Sequence, residues 1–309
     1  MESKVSNTDQ CKLSSVNGIV KMPDDIKKTF TLTIVGVGLI SGSFALAMKE
    51  HGFATRVIGV SRTEASLQKA KDLGIIDEAL SLEEAVKQSD FIYVAIPVDA
   101  TVVVMKQIMD LLTDKQIVAD AGSTKNVLCD ALKNHPMRHR FIATHPMWGT
   151  EYSGPEAAVR GAFDGRACVI CEKEKSDEAV VTAVENIYRT FGMNMVYMDA
   201  HSHDIHAAYI SHISHITSFA LANTVLEKEK EEDAIFALAG GGFESTVRLA
   251  KSSPAMWAPI FMQNRENILD VLSEHIAQLR KFKASLEKEN LEYLVELMEN
   301  ANKIKRILQ

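Results

Sequence analysis

Five short phrases of this chain carry side chains whose type and spacing suit chemistry. The first is Gly36-Val37-Gly38-Leu39-Ile40-Ser41-Gly42. Glycines so spaced between a strand and a helix suit the pyrophosphate of a dinucleotide. Gly36 permits a tight turn, and Gly38 lets a phosphate approach the backbone. The helix N-terminus adds free N–H groups and the positive end of its dipole. Ser41 stands where a third glycine is usual and is small enough for the helix–strand packing needed there. The second phrase, Asp120-Ala121-Gly122-Ser123-Thr124-Lys125, follows an apolar run. Ser123 is placed to hydrogen-bond a ligand, Ser123 or Thr124 can cap the next helix, and the two readings are compatible. The third, Thr144-His145-Pro146-Met147-Trp148-Gly149-Thr150-Glu151, offers an imidazole for general acid–base work. Histidine suits that work because it titrates near neutrality. The fourth, Ser211-His212-Ile213-Ser214-His215, puts two imidazoles on one helix face. His201, His203 and His206 lie nearby, but an obvious set of carboxylates and a zinc-like spacing are missing, so no metal is expected. The fifth combines Gly240-Gly241-Gly242-Phe243 with Arg248, Ser252, Pro254 and Trp257. Arg248 offers a planar fork to a carboxylate; the plain alternative is a helix-surface arginine.

The hydrophobic pattern says what must hold these groups. Thr31–Gly36, Arg56–Val60, Phe91–Ile96, Gln116–Asp120, Phe141–Thr144, Arg166–Cys171 and Asn194–Met198 read as strands. Helical spacing over Leu39–Glu50, Glu64–Leu73 and Ala100–Leu112 alternates with them, and Ser81 with Glu84 forms a capping-box pattern that opens another short helix. Such alternation predicts an α/β Rossmann-like domain with a parallel sheet, and the unbroken apolar strands predict cover on both faces. After about residue 199 the alternation stops. Long helices are expected over 202–228, 255–282 and 285–308, with a glycine cluster and a short helix over 234–252. The expected organisation is a polar, poorly ordered tail over 1–28, a dinucleotide-binding domain over 29–199, and an all-α helical domain over 200–309. The charge run Glu227–Asp233 reads as a solvated turn.

The second strand ends Val60-Ser61-Arg62-Thr63, with no carboxylate at its tip. NAD sites usually place one there for the ribose hydroxyl, whereas Ser61 and Arg62 suit a 2′-phosphate. NADP is therefore the favoured cofactor and NAD the alternative; Arg62 otherwise lies over the adenine.

Composition narrows the classes. A length of 309 residues suggests two domains, and 46% hydrophobic residues suffice for a sizeable core. A net charge of −7 argues against general nucleic-acid binding. The longest apolar runs, such as Phe91–Val98, fall far short of the ~20 residues of a membrane span. The polar N-terminus does not read as a secretory signal. Four cysteines make no disulfide framework. Cys168 and Cys171 lie three apart in an expected strand, so their sulfurs should point to opposite faces. A cytoplasmic protein is expected, with a small-molecule substrate and no nucleic-acid or membrane partner.

Taken in order, the five phrases resemble the prephenate/arogenate dehydrogenases of tyrosine biosynthesis. The resemblance runs from about Thr29 to the end of the chain. It is most specific in the run Gly36–Ser43, in His145-Pro146-Met147-x-Gly149-Thr150-Glu151, in Ser211-His212-x-x-His215, and in Gly240–Phe243 followed by Arg248-x-Ala250-x-Ser252-x-Pro254-x-x-Trp257. It implies a Rossmann-like domain followed by helices that build a homodimer. It also implies oxidative decarboxylation of a cyclohexadienol to a phenol with hydride transfer to a nicotinamide. By matching position, the resemblance makes His145 the catalytic histidine with Ser123 its partner. It makes Arg248 and His215 binders of substrate carboxylate, and His212, Thr150, Glu151 and Asp204 residues that line or close the pocket. Gly36, Gly38, Leu39, Ile40, Ser41, Ser61, Arg62 and Pro97 fall to the cofactor. His215 favours prephenate, which carries a keto side chain, over arogenate, which carries an ammonium. The Ser61-Arg62 strand end is similar to that of NADP-using members, several of which prefer arogenate. No regulatory ACT module is expected after Gln309 and no chorismate mutase domain before Thr29. The chain departs from the family pattern at Ser41, at Ser214 where relatives often have proline, and at Ala258 where several have arginine. The competing expectations are a related NAD(P)-dependent reductase and a dinucleotide sensor without catalysis.

Overall fold

The computed structural model describes residues 29–229 and 238–307. The expected tail over 1–28 and part of the Glu227–Asp233 run lie outside the described residues. Two compact units result. The first runs to His203 and takes in Lys251–Gln263; the second comprises Asp204–Ala250 and the chain from Asn264 onward.

The first unit is built on strands β1 (Phe30–Val35), β2 (Ala54–Val60), β3 (Glu78–Ala79), β4 (Phe91–Val94), β5 (Ile117–Asp120), β6 (Phe141–Pro146), β7 (Ala167–Cys171) and β8 (Asn194–Met198). Their order in the sheet is β3-β2-β1-β4-β5-β6-β7-β8. Strands β1 to β6 pair in parallel, β7 runs antiparallel to β6, and β8 is parallel to β7. The expected parallel sheet thus has one antiparallel junction. Between β6 and β7 the chain forms only a single 3₁₀ turn, Pro155–Ala157, and no crossover helix, so a parallel return is not built there. Helices α1 (Leu39–Glu50), α2 (Glu64–Asp72), α3 (Leu82–Gln88), α4 (Val98–Leu111), α5 (Asn126–Leu132) and α6 (Glu178–Thr190) connect or cover the strands. Helix α3 starts as its sequence implies: Ser81 Oγ accepts from Glu84 N, and the Glu84 carboxylate accepts from Ser81 N.

Both faces of the sheet are buried. On β4, Phe91 and Tyr93 enter one apolar cluster and Ile92 and Val94 the other, as strand alternation requires. The same alternation separates the cysteines of β7, with Cys168 in the first cluster and Cys171 in the second. Burial pushes the Cys168 thiol up and the Cys129 thiol up to about 12, which makes both poor nucleophiles.

After β8 the chain turns helical. Helix α7 (Ala200–Ala207) passes through a π stretch, Ala208–His212, into α8 (Ile213–Glu229). The helix expected over 202–228 is therefore present but widened at its middle. Helices α9 (Gly241–Val247), α10 (Pro254–Gln263), α11 (Arg265–Glu287) and α12 (Leu291–Asn302) follow. The helix expected over 255–282 is broken at Asn264, whose backbone leaves the helical region at φ −101°, ψ 25°. Its side-chain amide donates to Asp204 O at 2.7 Å and pairs with His212 Nδ1 at 3.0 Å, so tertiary partners hold the break. The last helix begins at Leu291 and not near 285, because Asn290 caps it by accepting from Tyr293 N at 3.0 Å.

Candidate active site

The glycine loop leaves β1 at the carboxyl edge of the parallel strands. Between β1 and β4 the strand order reverses, which is where open α/β sheets bind ligands. Gly36 sits at φ +88°, and a Cβ there would lie 2.5 Å from Ala95 O, so only glycine fits. Gly38 differs: a Cβ there would meet nothing within 4 Å. Its bareness is not demanded by the fold. It leaves open space in front of the α1 N-terminus, whose first-turn N–H groups have no intrahelical acceptor and no acidic side chain beside them. Ser41 is fully buried; its hydroxyl donates to Gly36 O and accepts from Gly38 N at 3.0 Å. Serine here ties the loop. The close packing expected of it falls to Gly42, where a Cβ would come 2.8 Å from the Ala158 Cβ. Leu39 is buried and Ile40 half-buried in the same turn. Pro97, exposed, precedes α4 at the end of β4. At the tip of β2, Ser61 Oγ accepts from Thr63 N at 3.3 Å, and Arg62 is exposed. This cradle, with a basic side chain at the tip of the next strand, fits a nicotinamide dinucleotide.

Two strands away, Asp120 organises the edge. Its carboxylate is fully buried and paired with the equally buried Lys125 ammonium. Its Oδ2 accepts from Gly122 N at 2.9 Å and its Oδ1 from Thr144 N at 3.3 Å, while Asp120 O accepts from Thr144 Oγ1. One buried carboxylate therefore holds both the loop carrying Ser123 and the strand carrying His145. Thr144 Oγ1 also meets Tyr188 OH at 3.0 Å on the far side of β6. Thr124 does not cap a helix; its hydroxyl donates to Gln263 Oε1 at 2.7 Å, and Gln263 Nε2 donates to Val98 O at 2.7 Å. Ser123 is half-buried, and its hydroxyl engages no protein partner among the described residues. Helix α5 follows without a side-chain cap at Lys125, so neither hydroxyl of the phrase is used as one.

His145 is the next-to-last residue of β6 and is buried. Its Nδ1 lies 2.8 Å from Nε2 of His203, which is buried on the first turns of α7. His203 is a residue that reasoning from sequence passed over as part of a histidine-rich helix. Asp199 caps the helix start through Ser202, a local signal that places His203 on the first turn of α7 but does not reveal its partner. The remaining residues of the third phrase lie in a loop, with Thr150 Oγ1 accepting from Tyr152 N at 3.3 Å and Glu151 half-buried.

The second unit holds the other candidates. Asp204 and His212 are buried and share Asn264: Asp204 through its carbonyl and His212 through Nδ1. His215 is half-buried, and its Nδ1 meets Ser211 O at 3.1 Å. Burial, aided by the positive field of Arg248, pulls the His215 imidazole below its ordinary range despite the Ser211 bond. His215 is therefore neutral at neutral pH, and Arg248 is close enough to it to be felt. Arg248 itself is exposed, at the start of a 3₁₀ stretch, Arg248–Lys251. Among the described residues no three His, Cys, Asp or Glu side chains are grouped to hold a metal.

Comparison with known proteins gives a consistent result. Residues 44–197 match the family model described as prephenate dehydrogenase, nucleotide-binding domain, and residues 199–300 match prephenate dehydrogenase, dimerization domain. The chain is 32% identical over 274 residues to the prephenate dehydrogenase of Bacillus subtilis, covering 88% of this chain and 74% of that one. It is 26% identical to the cyclohexadienyl dehydrogenase of Zymomonas mobilis, covering 90% of this chain and 96% of that one. The solved structure of Aquifex aeolicus prephenate dehydrogenase with hydroxyphenyl propionate and NAD+ superposes with a TM-score of 0.83 at 32% identity, over 92% of this chain and 99% of that one.

Proposed function

The chain belongs to the prephenate dehydrogenase family, and from that premise we propose that it converts prephenate to 4-hydroxyphenylpyruvate by oxidative decarboxylation in tyrosine biosynthesis. The observation that carries the reading is one sheet edge holding two things: a glycine cradle open in front of α1, and a buried histidine at the end of β6.

The nicotinamide, when bound, takes up the hydride. Gly36, Gly38, Leu39, Ile40, Ser41 and Pro97 would hold the dinucleotide, with Ser61 and Arg62 at its ribose. Every other step belongs to the chain's own residues and the substrate. His145 takes the proton of the ring hydroxyl at Nε2 while hydride departs from the same ring carbon. Ser123 hydrogen-bonds that hydroxyl and orients it. Loss of CO₂ from the carbon across the ring then makes the ring aromatic, which supplies the driving force. The protein needs only to fix donor, acceptor and carboxylates in reactive geometry. Arg248 meets a substrate carboxylate with its guanidinium fork, and neutral His215 adds a hydrogen bond. The resemblance further assigns Thr150, Glu151, His212 and Asp204 to the substrate.

The alternative substrate is arogenate. Prephenate is favoured because His215, the second histidine of the Ser211-His212-x-x-His215 phrase, accompanies prephenate use in the family the chain resembles. NADP is favoured over NAD on the side chains at the tip of β2. We also infer a homodimer formed through the helical unit, where Leu279, Leu286, Leu291, Val295 and Met298 leave apolar surface exposed. No helix among the described residues is long and apolar enough to cross a membrane. The compartment we infer is the cytoplasm, where scattered cysteines stay reduced.

The test is reduction of NAD and of NADP with prephenate and with arogenate, all combinations on one preparation. The expected outcome is fastest turnover with prephenate and NADP. Turnover with no combination, with cofactor still bound, contradicts the reading and moves the weight to another reductase or a sensor.

A further inference from the structure

His145 and His203 lie 58 positions apart in sequence, yet their ring nitrogens are 2.8 Å apart and both rings are buried. Two imidazoles at that distance must share one proton, one ring donating and the other accepting. The direction matters for chemistry. If His145 donates from Nδ1, its Nε2 carries a lone pair and can take a proton. If His145 accepts at Nδ1, its Nε2 already carries a hydrogen and cannot. The partner ring thus decides whether the first ring works as a base, the task a buried carboxylate performs in serine hydrolases.

The structure places His203 firmly for this. Strand β8 ends at Met198, and Asp199 caps α7 by accepting from Ser202 N at 2.8 Å and from Ser202 Oγ at 2.6 Å. Those bonds hold the Asp199 carboxyl below its usual range, so the cap is charged and strong at neutral pH. His203 N donates to Asp199 O at 3.0 Å within the same turn. A capped helix start anchored to the sheet carries the second imidazole to the first.

We propose that His203 is a positioning residue for His145: it fixes the proton-accepting tautomer and receives the Nδ1 proton when Nε2 gains one. The transfer balances. One proton enters the pair from the substrate hydroxyl, the His145 Nδ1 proton moves to His203 Nε2, and the positive charge rests on His203. The proposal rests on the reading of His145 as the proton acceptor.

The test compares the full-length wild type with His203→Leu and His203→Gln, the latter keeping a polar group near the position of Nε2. With cofactor saturating, His203→Leu should lower kcat about 100-fold and leave the substrate KM within about twofold. His203→Gln should recover roughly tenfold of that loss. Equal losses in both variants, or a loss carried by KM alone, overturn the proposal. A second readout is independent of turnover: proton–nitrogen NMR of the histidine rings without substrate. His145 should carry its hydrogen on Nδ1 in the wild type and lose that preference in His203→Leu. A wild-type His145 protonated on Nε2 overturns the proposal even if the leucine variant fails to fold. Absence of wild-type turnover with prephenate and arogenate counts instead against the proposed reaction, because the NMR result stands without it.

Discussion

The sheet edge around His145 and the Arg248 region of the helical unit hold their polar residues by different means. At the sheet edge, Asp120, Lys125, Thr144, His145 and His203 are all buried, and each is tied to another member or to the backbone. In that part of the helical unit, Arg248 is exposed at the start of a 3₁₀ stretch, and His215 Nδ1 meets Ser211 O in its own preceding turn. The contrast matches two tasks. The proposed proton acceptance beside a hydride acceptor tolerates little displacement; Asp120 holds Thr144 and Lys125, and His145 and His203 hold each other. The proposed grip of Arg248 on a carboxylate through a long fork tolerates more adjustment.

The contrast can be broken most sharply at the buried ion pair. Lys125→Met leaves the Asp120 charge buried without its cation, and unfolding by denaturant should show a loss of about 3–5 kcal/mol. Unchanged stability would mean that the edge is not held by this pair. In the helical unit the opposite pattern is expected. Arg248→Ala should raise the substrate KM by about 10- to 100-fold, the loss of a charge-assisted bidentate contact. Its unfolding free energy should stay within about 0.5 kcal/mol of wild type, as for other exposed positions. A large stability loss there would erase the distinction between the units. The smallest expected effect lies at the tip of β2. Arg62→Ala should shift the NADP-to-NAD preference by about tenfold toward NAD, the equivalent of ~1.4 kcal/mol, read from kcat/KM with each cofactor. An unchanged ratio would assign Arg62 to the adenine face.

Much of this was legible in the residues, and the exceptions share a cause. Helix α1 and strand β8 have the bounds their periodicity implies, and Ser81 caps α3 as its spacing to Glu84 requires. These are local signals. The antiparallel entry of β7 was not legible, because an apolar run states that it is a strand and not which way it points. The break at Asn264 depends on Asp204 and His212, some 60 and 52 positions away, so helical spacing across 255–282 gave no warning. For the candidate site, the glycine loop and His145 stood out by type and spacing. The division of labour within the loop did not: Ser41 ties it, and Gly42 makes the close contact. His203 was visible only as one histidine among several, since its partner lies on a distant strand.

The central claim is that His145, at the end of β6, accepts the substrate proton. It is tested most directly by His145→Asn, with cofactor dissociation constant and kcat measured on the same preparation. The account predicts unchanged cofactor binding and a loss of turnover of about 10²- to 10⁴-fold, the range of a lost general base. Turnover within a few-fold of wild type would contradict it.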